Sequence, residues 1–275
     1  DDAGVVGVDD VAGEHVEAGG VVEGVEAVVE GRYPAAFVMA RPGGHHAFSG
    51  DAHGYCYLNN TAVAIKRAQA RSDVDRVMVW DWDAHHGDGT QAIFADDPSV
   101  VVLSTHQSGE TLFPGTGFVD EVGEGDGEGY TVNVPFQPRT GDDAYRCVVD
   151  EVFQPIAEQF DPDLLFVEAG QDNHFTDPIT DLGVTARGYA HLMERAVETA
   201  ADCCDGRIVA SLAGGYGIEG GLPYTNLAVI AALAGLDTSH IREPSVYAPP
   251  DPDHRPDGEA VIEAVRDTHD QYWEL

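Results

Sequence analysis

The sequence predicts an α/β fold: one domain over residues 1–275, a mostly parallel sheet flanked by helices on both faces, and a working edge at the strand carboxyl ends. Three observations carry this. Short β-rich apolar runs alternate with amphipathic stretches from residue 14 onward. Several runs, such as Val77-Met78-Val79-Trp80, are apolar without alternation, so both their faces are buried, as in a parallel sheet covered by helices. The segments that follow the runs are polar and punctuated by glycine, which places ligand-binding loops at one sheet edge.

Taken in order, helical patterns are expected near Glu14–Glu30, Leu58–Arg71, Asp142–Phe160 and Thr185–Cys203. Strands are expected at Ala36–Ala40, Arg76–Asp81, Val100–Ser104, Thr131–Val134, Asp163–Glu168 and Arg207–Leu212. Pro223 is placed to open a further helix running to about Ala234, because its missing N–H costs nothing in a first turn. Gly123–Gly129 alternates glycine with acids and is expected to be a flexible loop. Residues Glu243–Gly258, rich in Pro and Asp, are expected to form an extended linker. A last helix, about Glu259–Tyr272, is expected to dock back on the body with Trp273 as its anchor.

Composition narrows the function. Hydrophobic content of 43% and charged content of 23% suit a globular chain. No apolar run is long enough for a transmembrane helix, and no basic-then-apolar leader opens the chain. Lys+Arg total 14 against 49 Asp+Glu, a formal net charge of −35, and Lys66 is the single lysine. Such a surface repels nucleic-acid phosphates. The acids are spread from end to end, a pattern suited to a cytoplasm at molar salt, where the Debye length is about 3 Å; a halophilic archaeal source is the expectation. Cys56, Cys147, Cys203 and Cys204 form no C-x-x-C and no disulfide framework, so reduced thiols are expected.

Chemistry-bearing residues gather after the strands. The segments are Arg41-Pro-Gly-Gly-His45-His46, Asp81-Trp-Asp83-Ala-His85-His86-Gly-Asp88, Ser104-Thr105-His106, Glu168-Ala-Gly-Gln-Asp172-Asn-His174 and Ala213-Gly214-Gly215-Tyr216. Asp81, Asp83 and His85 alternate with period two and project from an extended strand end toward one centre. Asp83, His85 and Asp172 supply three donors and leave a coordination position for water and substrate, as a catalytic metal site requires. His45 and His46 lie on the same edge as two further carboxylates, Asp81 and Asp88. Pairing each imidazole with one carboxylate is an arrangement for general acid–base work. Tyr216 offers a phenol to a developing oxyanion.

Together, Arg41-Pro-Gly-Gly-His-His-Ala47, Gly54-Tyr-Cys-Tyr-Leu-Asn-Asn60, Asp81-Trp-Asp-Ala-His-His-Gly-Asp-Gly-Thr90, Phe113-Pro-Gly-Thr-Gly117 and Ala213-Gly-Gly-Tyr216 resemble the histone deacetylase superfamily, which includes acetoin-utilisation proteins and acetylpolyamine amidohydrolases. The resemblance spans roughly residues 19–236. It implies an arginase/deacetylase-type fold and zinc-dependent hydrolysis of acetyl amides, with iron(II) as the other ion it allows. By resemblance, Asp83, His85 and Asp172 are the metal ligands, and His45, His46, Asp81, Asp88 and Tyr216 the catalytic set. Gly54, Tyr55, Phe113, Ile179, Gly214 and Gly215 correspond to the substrate channel and its rim. A structural potassium ion would use Asp81, Asp83, His85, Ser104 and Thr105.

The expected reaction is metal-assisted hydrolysis of acetyl-lysine or an acetylated polyamine in a cytoplasmic protein, with His46 as base. A serine hydrolase would need a Gly-x-Ser-x-Gly elbow, and none is present. A dinuclear ureohydrolase shares the implied fold but needs further bridging aspartates where Asp172 is followed by Asn173-His174. A catalytically impaired binding homologue is the remaining alternative. Because Asp1 is no initiator and relatives in the family carry earlier strands, an upstream extension that completes the sheet and the substrate grip is also expected.

Overall fold

A computed structural model describes residues 8–71, 73–249, 256 and 258–275. Among the described residues, six strands form one parallel sheet: β1 (Ala35–Val38), β2 (Val77–Asp81), β3 (Val100–Gln107), β4 (Thr131–Phe136), β5 (Leu164–Ala169) and β6 (Ile208–Leu212), in the order β1-β6-β5-β2-β3-β4. From β2 the chain steps outward to β3 and β4, then returns to β5 beside β2 and steps the other way to β6. The carboxyl ends of β2 and β5 therefore flank the point where the winding reverses, the place where open parallel sheets hold ligands.

The continuous apolar runs hide a period of two. Val77 and Val79 on β2, Val100 and Val102 on β3, and Leu164 and Phe166 on β5 pack under α1 (Val8–Val29), α2 (Asn60–Arg71) and α3 (Asp88–Phe94). Their neighbours Met78, Trp80, Leu103, Leu165 and Val167 face the opposite layer of α4 (Asp142–Val148), α5 (Gln154–Phe160), α6 (Ala186–Cys203), α7 (Leu222–Leu233) and α8 (Glu259–His269). Trp80 stacks on Phe153 with ring centroids 4.1 Å apart. Thr185 caps α6, its Oγ1 accepting from the Gly188 N–H at 3.1 Å, which starts that helix where the sequence put it. Pro223 stands in the first turn of α7.

Several expectations are corrected. Asp88 opens a short helix, α3, that is not among the helices expected from the sequence. The Asp142–Phe160 helix is interrupted by a π-helical turn at Val149–Phe153, and the carboxyl-terminal helix ends at His269 rather than Tyr272. β3 and β4 run on to Gln107 and Phe136, while β1 stops at Val38, short of Ala40. Gly123–Gly129 is pinned rather than flexible: Glu124 N donates to Ala95 O at 2.6 Å and Gly129 N to Val122 O at 2.7 Å. Of the expected Glu243–Gly258 linker, residues 250–255 and 257 lie outside the described residues, and Glu243 is fixed by His174 and the backbone N–H of Ala186. Trp273 anchors the chain end as expected; it is 8% exposed and its Nε1 donates to Gly129 O at 2.8 Å. Among the described residues no helix is long and apolar enough to cross a membrane.

Candidate active site

The last rung of the sheet turns polar. Ser104, Asp81, Glu168 and Ser211 are register partners across β3, β2, β5 and β6. Just beyond this rung, Asp83 and His85 leave β2 while Asp172 leaves β5. Backbone amides aim the carboxylates: Gly214 N donates to Asp83 Oδ2 at 2.6 Å, His85 N to Asp83 Oδ1 at 2.9 Å, and Ala84 N to Asp172 Oδ1 at 2.9 Å. His85 Nδ1 lies 2.9 Å from Asp172 Oδ2 and 3.2 Å from Asp83 Oδ1. One donor atom from each of the three residues falls within 4.8 Å of the others.

This pocket calls for a cation. Burial opposes charging His85, yet Asp172 and Asp83 overcome it and push the imidazole up to about 10. Burial, and then the charge of Asp83, push Asp172 up to about 7. Two crowded, buried carboxylates and one imidazole, donors that a divalent ion of the zinc type accepts, fit such an ion, with three protein ligands leaving one position for reactants. Gly214 completes the cradle, because a Cβ there would collide with both carboxylates.

The histidine pair stands beside this triangle. His45 Nδ1 donates to Asp81 Oδ2 at 2.9 Å and His46 Nδ1 to Asp88 Oδ1 at 2.7 Å, with the two ring centroids 4.1 Å apart. Their environments divide them. Burial opposes a charged His45, but Asp81 and Asp83 outweigh it and hold the ring well above its ordinary value. Burial and the neighbouring His45 charge lower His46 to about 4, even though Asp88 pulls upward. The two rings are thus pushed in opposite directions, His45 toward the imidazolium and His46 toward the neutral imidazole.

Tyr216 is half-buried after β6; burial, then Asp83 and Asp172, raise its phenol so that it stays protonated. Gly54 takes φ +52 and packs on the His46 ring, where a side chain would displace it. Phe113 sets its ring 5.1 Å from His46, and Tyr55, Phe113 and Ile179 are exposed. Asp81 and Ser104 lie side by side, Thr105 Oγ1 donates to Asp81 O at 3.4 Å, and the Ser104 hydroxyl is 2.8 Å from His106 Nδ1.

Four further residues meet the site without a role assigned from the sequence. Asp177 accepts from Tyr216 N at 2.7 Å and from Ile179 N at 3.1 Å, tying the two segments together; it stands two residues before Ile179 in the same Asp-Pro-Ile run. Arg41 lays its guanidinium 5.0 Å from the Tyr216 ring centroid and donates to Gly215 O at 2.6 Å. Glu168 is wholly buried, accepts from the Thr61 hydroxyl, and has no partner for Oε2; burial, then Asp81, push it up to about 8. His53 shares Asp88 with His46, its Nδ1 donating to Asp88 Oδ2 at 2.9 Å. No spacing rule marks Glu168 or His53, which reach the site through the fold alone.

Comparisons with known proteins agree with this geometry. Residues 7–233 match the histone deacetylase domain family. A probable deacetylase of Archaeoglobus fulgidus is 51% identical over 93% of this chain and 72% of its own length. A histone deacetylase-like amidohydrolase of Pseudomonas aeruginosa is 37% identical over 83% of this chain, which spans only 60% of that protein. Among solved structures, the HD domain of HDA15 superposes with a TM-score of 0.82 at 35% identity, covering 94% of this chain and 69% of the other. With a parallel sheet, a switch-point site and these relatives in agreement, the chain belongs to the histone deacetylase family.

Proposed function

We propose that this chain is a metal-dependent deacetylase that hydrolyses the acetyl amide of acetyl-lysine or another acetylated primary amine, such as an acetylpolyamine, to acetate and free amine. The observation that carries the reading is the convergence of the Asp83–His85–Asp172 donors with the two His–Asp pairs at one sheet edge. Zinc, or iron(II) in its place, would be held by those three donors and supplies Lewis acidity for the acetyl carbonyl and for water.

The remaining chemistry belongs to the side chains. His46, neutral and steadied by Asp88, accepts the proton of the attacking water at Nε2. His45, charged through Asp81, holds a proton beside it for the departing amine. Tyr216 donates its phenolic hydrogen to the oxyanion, a contribution of about 3–4 kcal/mol for a donor of this kind. Tyr55 and Phe113 would wall a narrow acyl channel, Ile179 its rim, and Gly54, Gly214 and Gly215 leave space for it. Asp81, Asp83, His85, Ser104 and Thr105 would hold a structural potassium ion, largely through backbone oxygens. The four free cysteines support a reducing, cytoplasmic setting.

The test is a turnover panel of acetyl-lysine peptides and acetylated polyamines, run at high KCl on zinc- and iron-loaded protein. Acetate release from either class supports the reading, and the ratio of kcat/KM values assigns the substrate. No turnover of any acetylated amine by metal-loaded, folded protein would leave a binding homologue instead.

A further inference from the structure

We propose that His46, His53 and Asp88 form a second, weaker divalent-cation site whose filling takes His46 out of service, so that excess zinc inhibits the protein. The inhibitory part rests on the reading of His46 as the base; the site itself does not. Among the described residues only two groups of side chains bring three metal-donor atoms within 4.8 Å of one another, and this is the second of them. Its donors are the Nδ1 atoms of both imidazoles, which meet separate oxygens of one carboxylate at 2.7 and 2.9 Å.

The geometry admits an ion. With Zn–N and Zn–O bonds of about 2.0–2.2 Å and tetrahedral angles, the donors must stand about 3.3–3.6 Å apart, so each pair needs to open by roughly 0.4–0.9 Å. His53 can supply that movement, because its side chain is 41% exposed while those of His46 and Asp88 are 6% and 7% exposed. The exposed His53 also gives the ion an entry path. The rings of Phe113 and Phe48, with centroids 4.9 and 5.8 Å from that of His53, keep the imidazole over the carboxylate.

One carboxylate makes this site weaker than the Asp83–His85–Asp172 pocket, which holds two. The consequence for the base follows from tautomers. In the hydrogen-bonded pair, Nδ1 of His46 carries the proton and Nε2 keeps its lone pair. An ion on Nδ1 requires that nitrogen's lone pair, so the proton moves to Nε2. His46 then has no lone pair with which to accept a proton from water. No electron transfer or co-reactant is involved.

The test takes protein already carrying one tightly held zinc and dialyses it against rising free zinc, with metal counted per chain. The ¹⁵N shifts of His46 are followed alongside turnover. Wild type should take up a second equivalent as His46 changes from the Nδ1–H to the Nε2–H form and turnover falls in step. His53→Ala and His53→Gln should keep the first equivalent and weaken the second by at least about 10-fold, the scale on which lost metal-site contacts act. Their inhibition by zinc should shift by the same factor. If wild type takes no second equivalent, if both His53 variants bind it unchanged, or if it binds without moving the His46 proton, the proposal is wrong. Uptake and ¹⁵N shifts need no turnover, so they decide the site even if the deacetylase reading fails.

Discussion

Asp83 and Asp172, which leave different strands, share one backbone neighbour. A Cβ built on Gly214 would stand 2.6 Å from Oδ2 of Asp83 and closer still to Oδ2 of Asp172. Their separation is thus set by β6 as well as by the strands that carry them. Gly214→Ala should push the two carboxylates apart and weaken zinc binding by about 10–100-fold. Equilibrium dialysis checks this; unchanged affinity would mean that Gly214 does not shape the pocket.

Tyr216→Phe should lower kcat by about 10²–10³ while the bound metal stays in place. The phenol is protonated because burial and two carboxylates disfavour the phenolate, so it can donate throughout the neutral range. A near-wild-type kcat in the variant would remove Tyr216 from the chemistry.

The histidine pair fixes a pH dependence. His46 sits at about 4, so it gains its proton only when the pH falls toward that value, and the base is already free at pH 6. The acid limb of kcat that belongs to His46 should lie below pH 6. Asp88→Asn removes the carboxylate that raises His46 and steadies its ring, and should cost about 10²–10⁴ in kcat. An acid limb near 6.5 in wild type, the value of an ordinary histidine, would contradict the assignment.

Glu168 gives a stability test with a definite sign. Pushed up to about 8 by burial and Asp81, its folded-state carboxyl holds a proton that the unfolded chain has released above about 4.5. The folded state binds the extra proton across that window, so this contribution is lost as the pH rises through about 8. Glu168→Gln keeps the shape and cannot titrate. The melting temperature of wild type should therefore fall relative to the variant between pH 6 and 9, and parallel curves would refute the buried-acid reading.

The charge of −35 predicts salt dependence. Several exposed cations already stand against acids, as Arg32 does with Glu23 and Glu30, so the acidic excess is left to repel itself. The melting temperature should climb as KCl rises from 0.1 to about 2 M and screening shortens toward about 3 Å. A flat curve would contradict self-repulsion as a term in stability.

Most of the sheet and the site was legible because both depend on local pattern. Burial on both faces turns Val77–Trp80 into an uninterrupted apolar run, and a ligand site at strand ends concentrates histidine, aspartate and glycine in short segments. What stayed hidden depends on tertiary proximity or on competing signals. Asp88 stands between two glycines, which mask the short helix α3 that it opens. Glu168 lies in register with Asp81 only because β5 returns to pair with β2. His53 sits in a loop of ordinary composition, and only the folded chain sets it against the carboxylate that His46 uses.

The central claim is that Asp83, His85 and Asp172 hold one catalytic metal ion. The most direct measurement is metal content and acetyl-lysine turnover on the same preparations of wild type, His85→Ala and Asp172→Ala. The account predicts about one zinc or iron per wild-type chain with acetate release, and folded variants with neither metal nor turnover. Stoichiometric metal and retained turnover in both variants would contradict it.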